Sequence, residues 1–334
     1  MIVQTGVLCK WTNDSQRFLL EHFDTIHDSP SHIYHSALPF SPSSSWLHKY
    51  YGPGLSQEVQ VIKGLPDEWG TCSRTVSLDS PVKCLSYWNN TIAVGSWSKN
   101  IIILNAITGI KEAILSGHTD GVRSVTHSSD GRLLASGSDD KTVKLWDIQT
   151  GGVVKTFHGH TKWVLSVSIS ADCTRIASGS NVHTICLWDI QTGDCYCIIK
   201  QEDNIQYVSF YPTDPQHLLS ICNNQVWKWD VNGHQIPPTY HGTHIAFSPD
   251  YTQFALCNKS TITVQQSDSR VAVAEFHVAG GETRCCCFSP DGKLVAVAAD
   301  RTAYVWDITT PDPHLIETFV GHTNWISSDR KSVV

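Results

Sequence analysis

Histidine and serine recur at a fixed spacing in this sequence of 334 residues, and in one set an aspartate completes the residue types of a hydrolytic triad. Two sets lie in register 42 residues apart, and each ends in a tryptophan: His118, Ser136, Asp140 and Trp146, then His160, Ser178 and Trp188. Reactive groups that repeat along a chain indicate a structural role rather than a single site. We therefore expect each set to form a buried hydrogen-bond chain, and we assign no catalytic residue.

Metal and cofactor chemistry has little support in the sequence. The 12 cysteines include no pair at the CxxC spacing of a zinc site, and the 17 histidines are scattered along the chain. The HExxH, GxSxG, GxGxxG and GxxxxGK[ST] motifs are absent from the sequence. We expect buried, reduced thiols, no metal site and no cofactor.

The composition is that of a globular chain, with 41% hydrophobic and 16% charged residues. The net charge is -7 and no run of lysine or arginine occurs, so a nucleic-acid partner is not expected. The N-terminus does not resemble a signal peptide, and no apolar run reaches the ~18 residues of a membrane helix. We expect a cytoplasmic protein without a membrane span, and we leave a nuclear location open.

A repeat of about 40 residues organises the chain. Trp146-Asp147, Trp188-Asp189 and Trp229-Asp230 follow one another at spacings of 42 and 41 residues. The second unit predicts four strands, because short apolar runs alternate with the turn sequences "SSDG", "SDDK" and "QTGG". The predicted strands are residues 122–127, 133–137, 142–146 and 153–158.

These repeats resemble the WD-repeat family, in their Gly-His start, their Ser-Pro-Asp-Gly turn and their Trp-Asp end. The resemblance implies an all-β propeller over residues 58–334, with six complete four-stranded blades that begin near residues 80, 118, 160, 202, 241 and 280. The second blade has the complete His, Ser, Asp and Trp set, so we expect it to be the best ordered. The third blade has Val182 in place of the aspartate, and the first has Ser98 and Leu104 in place of the aspartate and tryptophan.

A partial seventh blade is expected from residues 72–78 and 321–334, which resemble an outer and an inner strand. Two explanations for the missing middle strands stay open. The sequence is either part of a longer protein, which we favour, or a natural short form with an open seam in the propeller.

Residues 1–57 do not repeat. "NDSQRFLLEHFDTIHDSP" predicts an amphipathic helix, with Phe18, Leu19, His22, Phe23 and Ile26 on one face. A Pro/Ser-rich linker is expected to follow. "HIYHSALPFSPSSS" and "EVQVIKGLPDEWGTCSRTV" resemble the junction before the propeller of fungal NOD-like receptors of the vegetative-incompatibility type. That resemblance implies an upstream NACHT-type ATPase in a longer parent chain, but no phosphate loop occurs, so ATP binding is not implied.

Propellers of the WD-repeat family commonly bind partners through the loops before the inner strand and after the second strand. The residues expected on that face are Trp97, Asp120, Lys162, Trp163, Asn204, Glu282, Arg301 and Trp325. The tryptophans are either partner-contact residues or residues that pack against neighbouring loops.

The first hypothesis for the function is a non-catalytic sensor propeller of a fungal NOD-like receptor that binds a protein partner. An intracellular scaffold or adaptor, such as a ubiquitin-ligase substrate receptor, is the alternative, and a propeller enzyme is a third reading.

Overall fold

The computed structural model describes residues 14–15, 17–19, 41–42, 44–55, 76–211, 214–267, 271–279, 281–289, 291–310 and 312–320. The chain divides into two compact units. The first contains Met1–Ser77 and Ile107–Gly109, and the second contains Leu78–Ala106 and Ile110–Val334. The predicted boundary at residues 57 and 58 lies outside the described residues.

Two segments in the described part of the first unit are helical. Residues 14–15 and 17–19 are in helical conformation, where Phe18 is buried and Leu19 is 54% exposed. Helix α1 spans Trp46–Leu55, where we expected a linker, and that prediction was wrong for these residues. The N-terminus of α1 is capped, because Ser45 Oγ accepts a hydrogen bond from His48 N and Asp14 Oδ2 accepts one from Trp46 N. Within the described residues, no helix has the length and apolarity needed to cross a membrane.

In its described residues, the second unit is an all-β propeller of six four-stranded antiparallel blades, as the sequence predicts. Blade 1 contains β1 (Val82–Trp88), β2 (Thr91–Ser96), β3 (Ile101–Asn105) and β4 (Lys111–Leu115). Blade 2 contains β5 (Val122–His127), β6 (Leu133–Ser138), β7 (Val143–Asp147) and β8 (Val153–Phe157). Blade 3 contains β9 (Val164–Ile169), β10 (Arg175–Ser180), β11 (Thr184–Asp189) and β12 (Cys195–Lys200).

The other three blades have the same topology. Blade 4 contains β13 (Tyr207–Phe210), β14 (His217–Cys222), β15 (Gln225–Asp230) and β16 (Gln235–His241). Blade 5 contains β17 (His244–Phe247), β18 (Gln253–Asn258), β19 (Thr261–Gln266) and β20 (Ala272–His277). Blade 6 contains β21 (Thr283–Phe288), β22 (Leu294–Ala299), β23 (Thr302–Asp307) and β24 (His314–Val320). Of the partial seventh blade, residues 76–78 are not in a strand, and the rest lies outside the described residues.

A serine-aspartate pair forms the turn between the first two strands of several blades. In blade 2, Ser128 Oγ donates to Asp130 Oδ1 at 2.6 Å and accepts from Leu133 N at 2.9 Å. The same pairing occurs in blades 3, 5 and 6, between Ser170 and Asp172, Ser248 and Asp250, and Ser289 and Asp291. These turns satisfy their own polar groups and therefore form locally from the sequence.

Glycines on the second strands allow neighbouring blades to approach closely. A Cβ atom on Gly137 would lie 2.6 Å from Val164 Cγ1 of blade 3, and one on Gly179 would lie 2.4 Å from Ile205 Cγ2, just before β13. A Cβ atom on Gly95 would likewise lie 2.9 Å from Val122 Cγ1 of blade 2. The "SGS" and "VGS" sequences of β2, β6 and β10 thus provide the space into which the next blade packs its first apolar residue.

Inner-strand serines also bond one blade to the next. Ser86 accepts a hydrogen bond from His127 N, Ser124 from Val167 N, Ser166 from Val208 N, and Ser168 from Phe210 N, at distances of 3.0–3.2 Å. These bonds connect blades 1, 2, 3 and 4 in order. The positions that correspond to Ser166 in blades 4 and 5 hold Tyr207 and His244. Blades 1–4 therefore form a continuously hydrogen-bonded frame for the loops they display.

Candidate functional site

The histidine, serine, aspartate and tryptophan side chains of blade 2 form one hydrogen-bond chain. Trp146 Nε1 donates to Ser136 Oγ at 2.7 Å, and Ser136 Oγ lies 2.7 Å from His118 Nε2. His118 Nδ1 lies 2.7 Å from Asp140 Oδ2. A single set of protons satisfies the whole chain, with the indole donating to the hydroxyl, the hydroxyl to Nε2, and Nδ1–H to the carboxylate.

Asp140 is the acceptor at the end of this chain. It also accepts hydrogen bonds from Thr119 N at 3.0 Å, from Thr142 N at 2.9 Å and from Thr142 Oγ1 at 2.6 Å. Burial opposes its ionisation, but hydrogen bonds from His118 and Thr142 outweigh burial and hold the pKa of Asp140 below its ordinary value. Asp140 is therefore a charged acceptor that ties the loop before β5 to the turn after β6.

The geometry of this chain argues against catalysis by Ser136. The side chains of Ser136 and Trp146 are 0% exposed, and His118 is 6% exposed. A nucleophile must be within reach of a substrate atom, which a hydroxyl enclosed in the blade is not. The set is placed to stabilise the blade.

Blade 3 contains the same chain without its carboxylate. Trp188 Nε1 donates to Ser178 Oγ at 2.7 Å, and His160 Nε2 lies 2.7 Å from the same oxygen. His160 Nδ1 lies 3.8 Å from Cys186 Sγ, a weak partner compared with a carboxylate. Burial lowers the pKa of His160 to about 4, so the imidazole is neutral at pH 7.

Blades 4 and 6 depart further from the pattern. In blade 4, Trp229 Nε1 donates to Ser220 Oγ, and that hydroxyl donates to Gln201 Oε1 at 3.0 Å, so a glutamine replaces the histidine. In blade 6, Val297 stands where the serine would be, and the buried Trp306 Nε1 has no hydrogen-bond partner among the described residues. We did not predict either arrangement.

Three side chains from three blades form a stack at one end of the propeller. The guanidinium of Arg123, near the start of β5, lies 4.8 Å from the ring centre of Trp97 and 4.9 Å from that of Trp163. Trp97 follows β2 and Trp163 precedes β9, so the loops of blades 1 and 3 converge on Arg123 of blade 2. We call these three residues the Trp-Arg-Trp stack.

An ion pair and a backbone contact at a glycine hold the stack in position. Arg123 Nε and Nη2 donate to Asp139 Oδ1 and Oδ2 at 2.7 and 2.9 Å, a two-point contact that sets the plane of the guanidinium. A Cβ atom on Gly121 would lie 2.9 Å from Trp97 Cε3, so the indole packs directly on the Gly121 backbone. Trp97 and Trp163 nevertheless remain 44% and 45% exposed. They both pack on neighbouring loops and present surface to solvent, so the two expectations are compatible.

The other residues expected on this face are placed as follows. Asp120 and Lys162 are exposed on the loops before β5 and β9, next to the stack. Asn204 is half-buried before blade 4, and Glu282 and Arg301 are exposed on blade 6; no described contact joins these three residues to the stack. Trp325 lies outside the described residues. Arg123 was missed, although its place between tryptophans on the loops of the two neighbouring repeats was the available signal.

A cavity of about 180 Å³ lies among the inner strands of blades 2–6. Aromatic, aliphatic and small side chains line it, including Ile169, Tyr211, Phe247 and Cys287. None of its described lining residues is Asp, Glu, Lys or Arg, so this cavity offers no carboxylate for acid-base chemistry. Within the described part of the chain, no group of three or more His, Cys, Asp or Glu side chains is arranged to hold a metal ion.

The fold, the turn chemistry and the blade-internal chains together define a class, the WD-repeat β-propeller. Residues 109–147, 151–189 and 270–307 match the family described as WD domain, G-beta repeat. Each match begins at the outer strand of one blade and ends with the third strand of the next. The chain therefore contains WD repeats.

Part of the chain is also similar to a plant protein. The Transcriptional corepressor LEUNIG_HOMOLOG of Arabidopsis thaliana is 27% identical to this chain over 114 residues. The match spans 32% of this chain and 14% of the relative, so the chain corresponds to a small part of that protein. Neither comparison bears on the resemblance to fungal receptors.

Proposed function

We propose that this propeller is a non-catalytic protein-recognition module, and that the Trp-Arg-Trp stack is the centre of its contact surface. The observation that carries the proposal is that Trp97 and Trp163 stay nearly half exposed while Arg123 holds them in fixed positions. Tryptophan and arginine are the side chains most often found at energetic centres of protein interfaces. Because the stack is already ordered, a partner loses little additional side-chain entropy when it binds there.

The absence of a catalytic role is part of this proposal. The hydroxyls of Ser136 and Ser178 are enclosed in their blades, and both accept an indole hydrogen bond. The hydrogen-bond chains of blades 2 and 3 thus stabilise the interior of their blades. The surface loops are then the place for molecular recognition.

Site-specific photocrosslinking tests the contact surface. Benzoylphenylalanine placed at Trp97 or at Trp163 should crosslink the same protein in cells of the source organism. The same group at Ile198, which is 59% exposed on β12, is the control and should not. The proposal is wrong if positions 97 and 163 give no shared product, or if position 198 gives the same one.

At a finer level, we propose that the module is the sensor propeller of a fungal NOD-like receptor, located in the cytoplasm. The sequence stretches before the propeller support this role, as does the exposed stack. An antibody against the propeller should detect a chain far above 37.0 kDa in source lysate, and mass spectrometry should find NACHT-type ATPase sequence in that band. A band at 37.0 kDa would contradict the receptor proposal and leave the recognition surface standing.

A scaffold or adaptor subunit is the second candidate, and the match to a transcriptional corepressor favours it. A scaffold would occur in a stable complex of fixed stoichiometry, and it could be nuclear. Size-exclusion chromatography of the native protein with quantitative mass spectrometry separates the two candidates. Co-elution with constant partners and no ATPase would select the scaffold.

A further inference from the structure

Four lysines lie on the strands and loops that carry or adjoin the Trp-Arg-Trp stack, and we call them the basic rim. Lys83 lies with its Nζ 4.8 Å from the ring centre of Trp97. Lys99, Lys141 and Lys162 are exposed on the loops that carry or adjoin the stack. Lys99 and Lys141 occupy the same turn position in blades 1 and 2, with φ of 69° and 72°, so the two turns have the same backbone form.

The charge of the basic rim is not balanced locally. Within the described residues, none of the four lysines takes part in a salt bridge. Asp139 is paired with Arg123, and Asp140 is paired with His118 in the blade 2 chain. Asp120 is the remaining carboxylate on the described loops at residues 97–100, 116–121, 139–142 and 158–163. A positive region on a protein of net charge -7 therefore marks one face of blades 1–3.

The positive region ends at the next blade. The loop before blade 4 carries Glu202 and Asp203, of which Glu202 is exposed. A ligand that follows the positive charge is thus confined to the loops of blades 1–3. This short footprint, with an acidic border, suits a few acidic residues of a polypeptide better than a long polyanion such as nucleic acid.

We infer that the face of blades 1–3 binds an acidic, extended segment of a partner protein, with its carboxylates over the basic rim and an apolar side chain against Trp97 and Trp163. This inference rests on the proposed recognition function and names the chemistry of its partner. The stack supplies the desolvated centre, and the lysines supply attraction and register. The partner chemistry follows from the charges of these loops, which lie far apart in the sequence.

Selection from a random peptide library displayed on phage tests the inference. The full chain is the target, and the eluted 12-residue peptides should be enriched in Asp and Glu relative to the unselected library. A selected peptide should bind about tenfold more weakly to the variant K99E/K141E/K162E than to the wild type. The variant K111E/K259E/K293E is the matched control, because it changes the net charge equally at exposed lysines outside the loops of the stack and the basic rim.

Each outcome separates the inference from the function on which it rests. Acidic peptides whose binding needs the basic rim and both tryptophans support the acidic partner and the contact surface alike. Peptides without excess acid that still need Trp97 and Trp163 overturn the acidic partner and leave the contact surface intact. Peptides that bind W97A and W163A variants normally overturn the surface itself. Rim-dependent binding of a 20-nucleotide poly(dT) that is tighter than any peptide overturns the acidic protein partner in favour of nucleic acid. If the triple variant fails to fold, the single charge reversals give the same comparison.

Discussion

Arg123 and Asp139 form a two-point ion pair, with Nε 2.7 Å from Oδ1 and Nη2 2.9 Å from Oδ2. The carboxylate side chain is 4% exposed and the arginine is 23% exposed, so water replaces neither bond easily. The pair lies within blade 2, yet it decides where Trp97 of blade 1 and Trp163 of blade 3 are placed. The proposed contact surface, made from three blades, therefore depends on one local interaction.

The substitution Asp139→Asn tests this dependence. It keeps the shape of the side chain but removes the charge and one acceptor, so we expect the free energy of unfolding to fall by about 1–3 kcal/mol. Partner binding should weaken further than stability alone explains, because the guanidinium loses its fixed plane. Urea unfolding and crosslinking yield at position 163 are the measurements.

Asp120→Asn is the matched control, since Asp120 is exposed on an adjacent loop and its side chain can still accept from Gly121 N. Its free energy of unfolding should change by less than about 0.5 kcal/mol. Equal effects of the two substitutions would contradict the role given to the Arg123–Asp139 pair.

A second prediction concerns the incomplete chain of blade 3. Val182 occupies the position of Asp140, and blade 3 retains Thr161 and Thr184 where blade 2 has the donors Thr119 and Thr142. Val182→Asp should therefore supply an acceptor for His160 Nδ1 and for these donors. We expect the free energy of unfolding to rise by about 1 kcal/mol, measured by urea unfolding at pH 7.

The reverse change in blade 2, Asp140→Val, should lower the free energy of unfolding by about 2–3 kcal/mol. The loss is larger than the gain in blade 3 because it leaves the donors of Thr119, Thr142 and His118 without their acceptor. A destabilising Val182→Asp together with a neutral Asp140→Val would show that the carboxylate contributes nothing to these blades.

The strands were predictable because their signals are local. In blade 2 the predicted strand bounds differ from the observed bounds by one residue at most. Turns such as that of Ser128 and Asp130 satisfy their own hydrogen bonds, so residues close in sequence determine where each strand ends. Because these local motifs recur at a fixed spacing, the repeats could also be aligned with one another from the sequence.

Features that depend on distant residues could not be predicted in this way. Helix α1 lies in a Pro/Ser-rich stretch, and one of its capping bonds comes from Asp14, 32 residues before Trp46. The role of Arg123 depends on Trp97 and Trp163, which reach it only after three blades have packed. The basic rim likewise joins loops that the sequence separates.

A third prediction concerns the serines that bond one blade to the next. Ser166 Oγ accepts from Val208 N at 3.0 Å in the buried region between blades 3 and 4. Ser166→Ala would leave this N–H without an acceptor, at a cost of about 1–3 kcal/mol. Amide hydrogen exchange at Val208 should accelerate, and it is the measurement that locates the effect.

Ser209→Ala is the control for this substitution. Ser209 Oγ donates to Phe210 O at 3.1 Å, so its removal takes away a donor and leaves no backbone N–H unsatisfied. Exchange at Val208 should stay close to that of the wild type. Unchanged exchange in Ser166→Ala would mean that packing, and not these hydrogen bonds, joins blades 3 and 4.

The fourth prediction concerns the response of stability to acid. Burial lowers the pKa of His127 to about 4, and the same cause gives His160 a pKa of about 4. Both imidazoles are neutral in the folded state, whereas in the unfolded chain they protonate below a pKa of about 6.5. Because the unfolded state binds more protons between pH 6.5 and 4, stability is fully present above pH 6.5 and is lost as the pH falls through that window.

His127→Phe isolates one of these two groups. The corresponding residue is Phe210 in blade 4, Phe247 in blade 5 and Phe288 in blade 6, so a phenyl ring suits the position. At pH 7 the free energy of unfolding should stay within about 1 kcal/mol of the wild type, because the ring loses the bond to Ser86 Oγ but no longer buries an unpartnered Nε2. Between pH 7 and pH 5 the wild type should lose about 2 kcal/mol of its free energy of unfolding through protonation of this histidine in the unfolded chain, and the variant should not.

Urea unfolding of both proteins at pH 7, 6 and 5 measures the difference, and His158→Phe at an exposed position is the control. The gap between His127→Phe and the wild type should widen as the pH falls, while the control should follow the wild type throughout. Parallel curves for all three proteins would mean that His127 is protonated as readily in the folded chain as in the unfolded one. In that case the bond between its Nδ1 and Ser86 would have to tolerate an imidazolium, with the serine oxygen acting only as an acceptor.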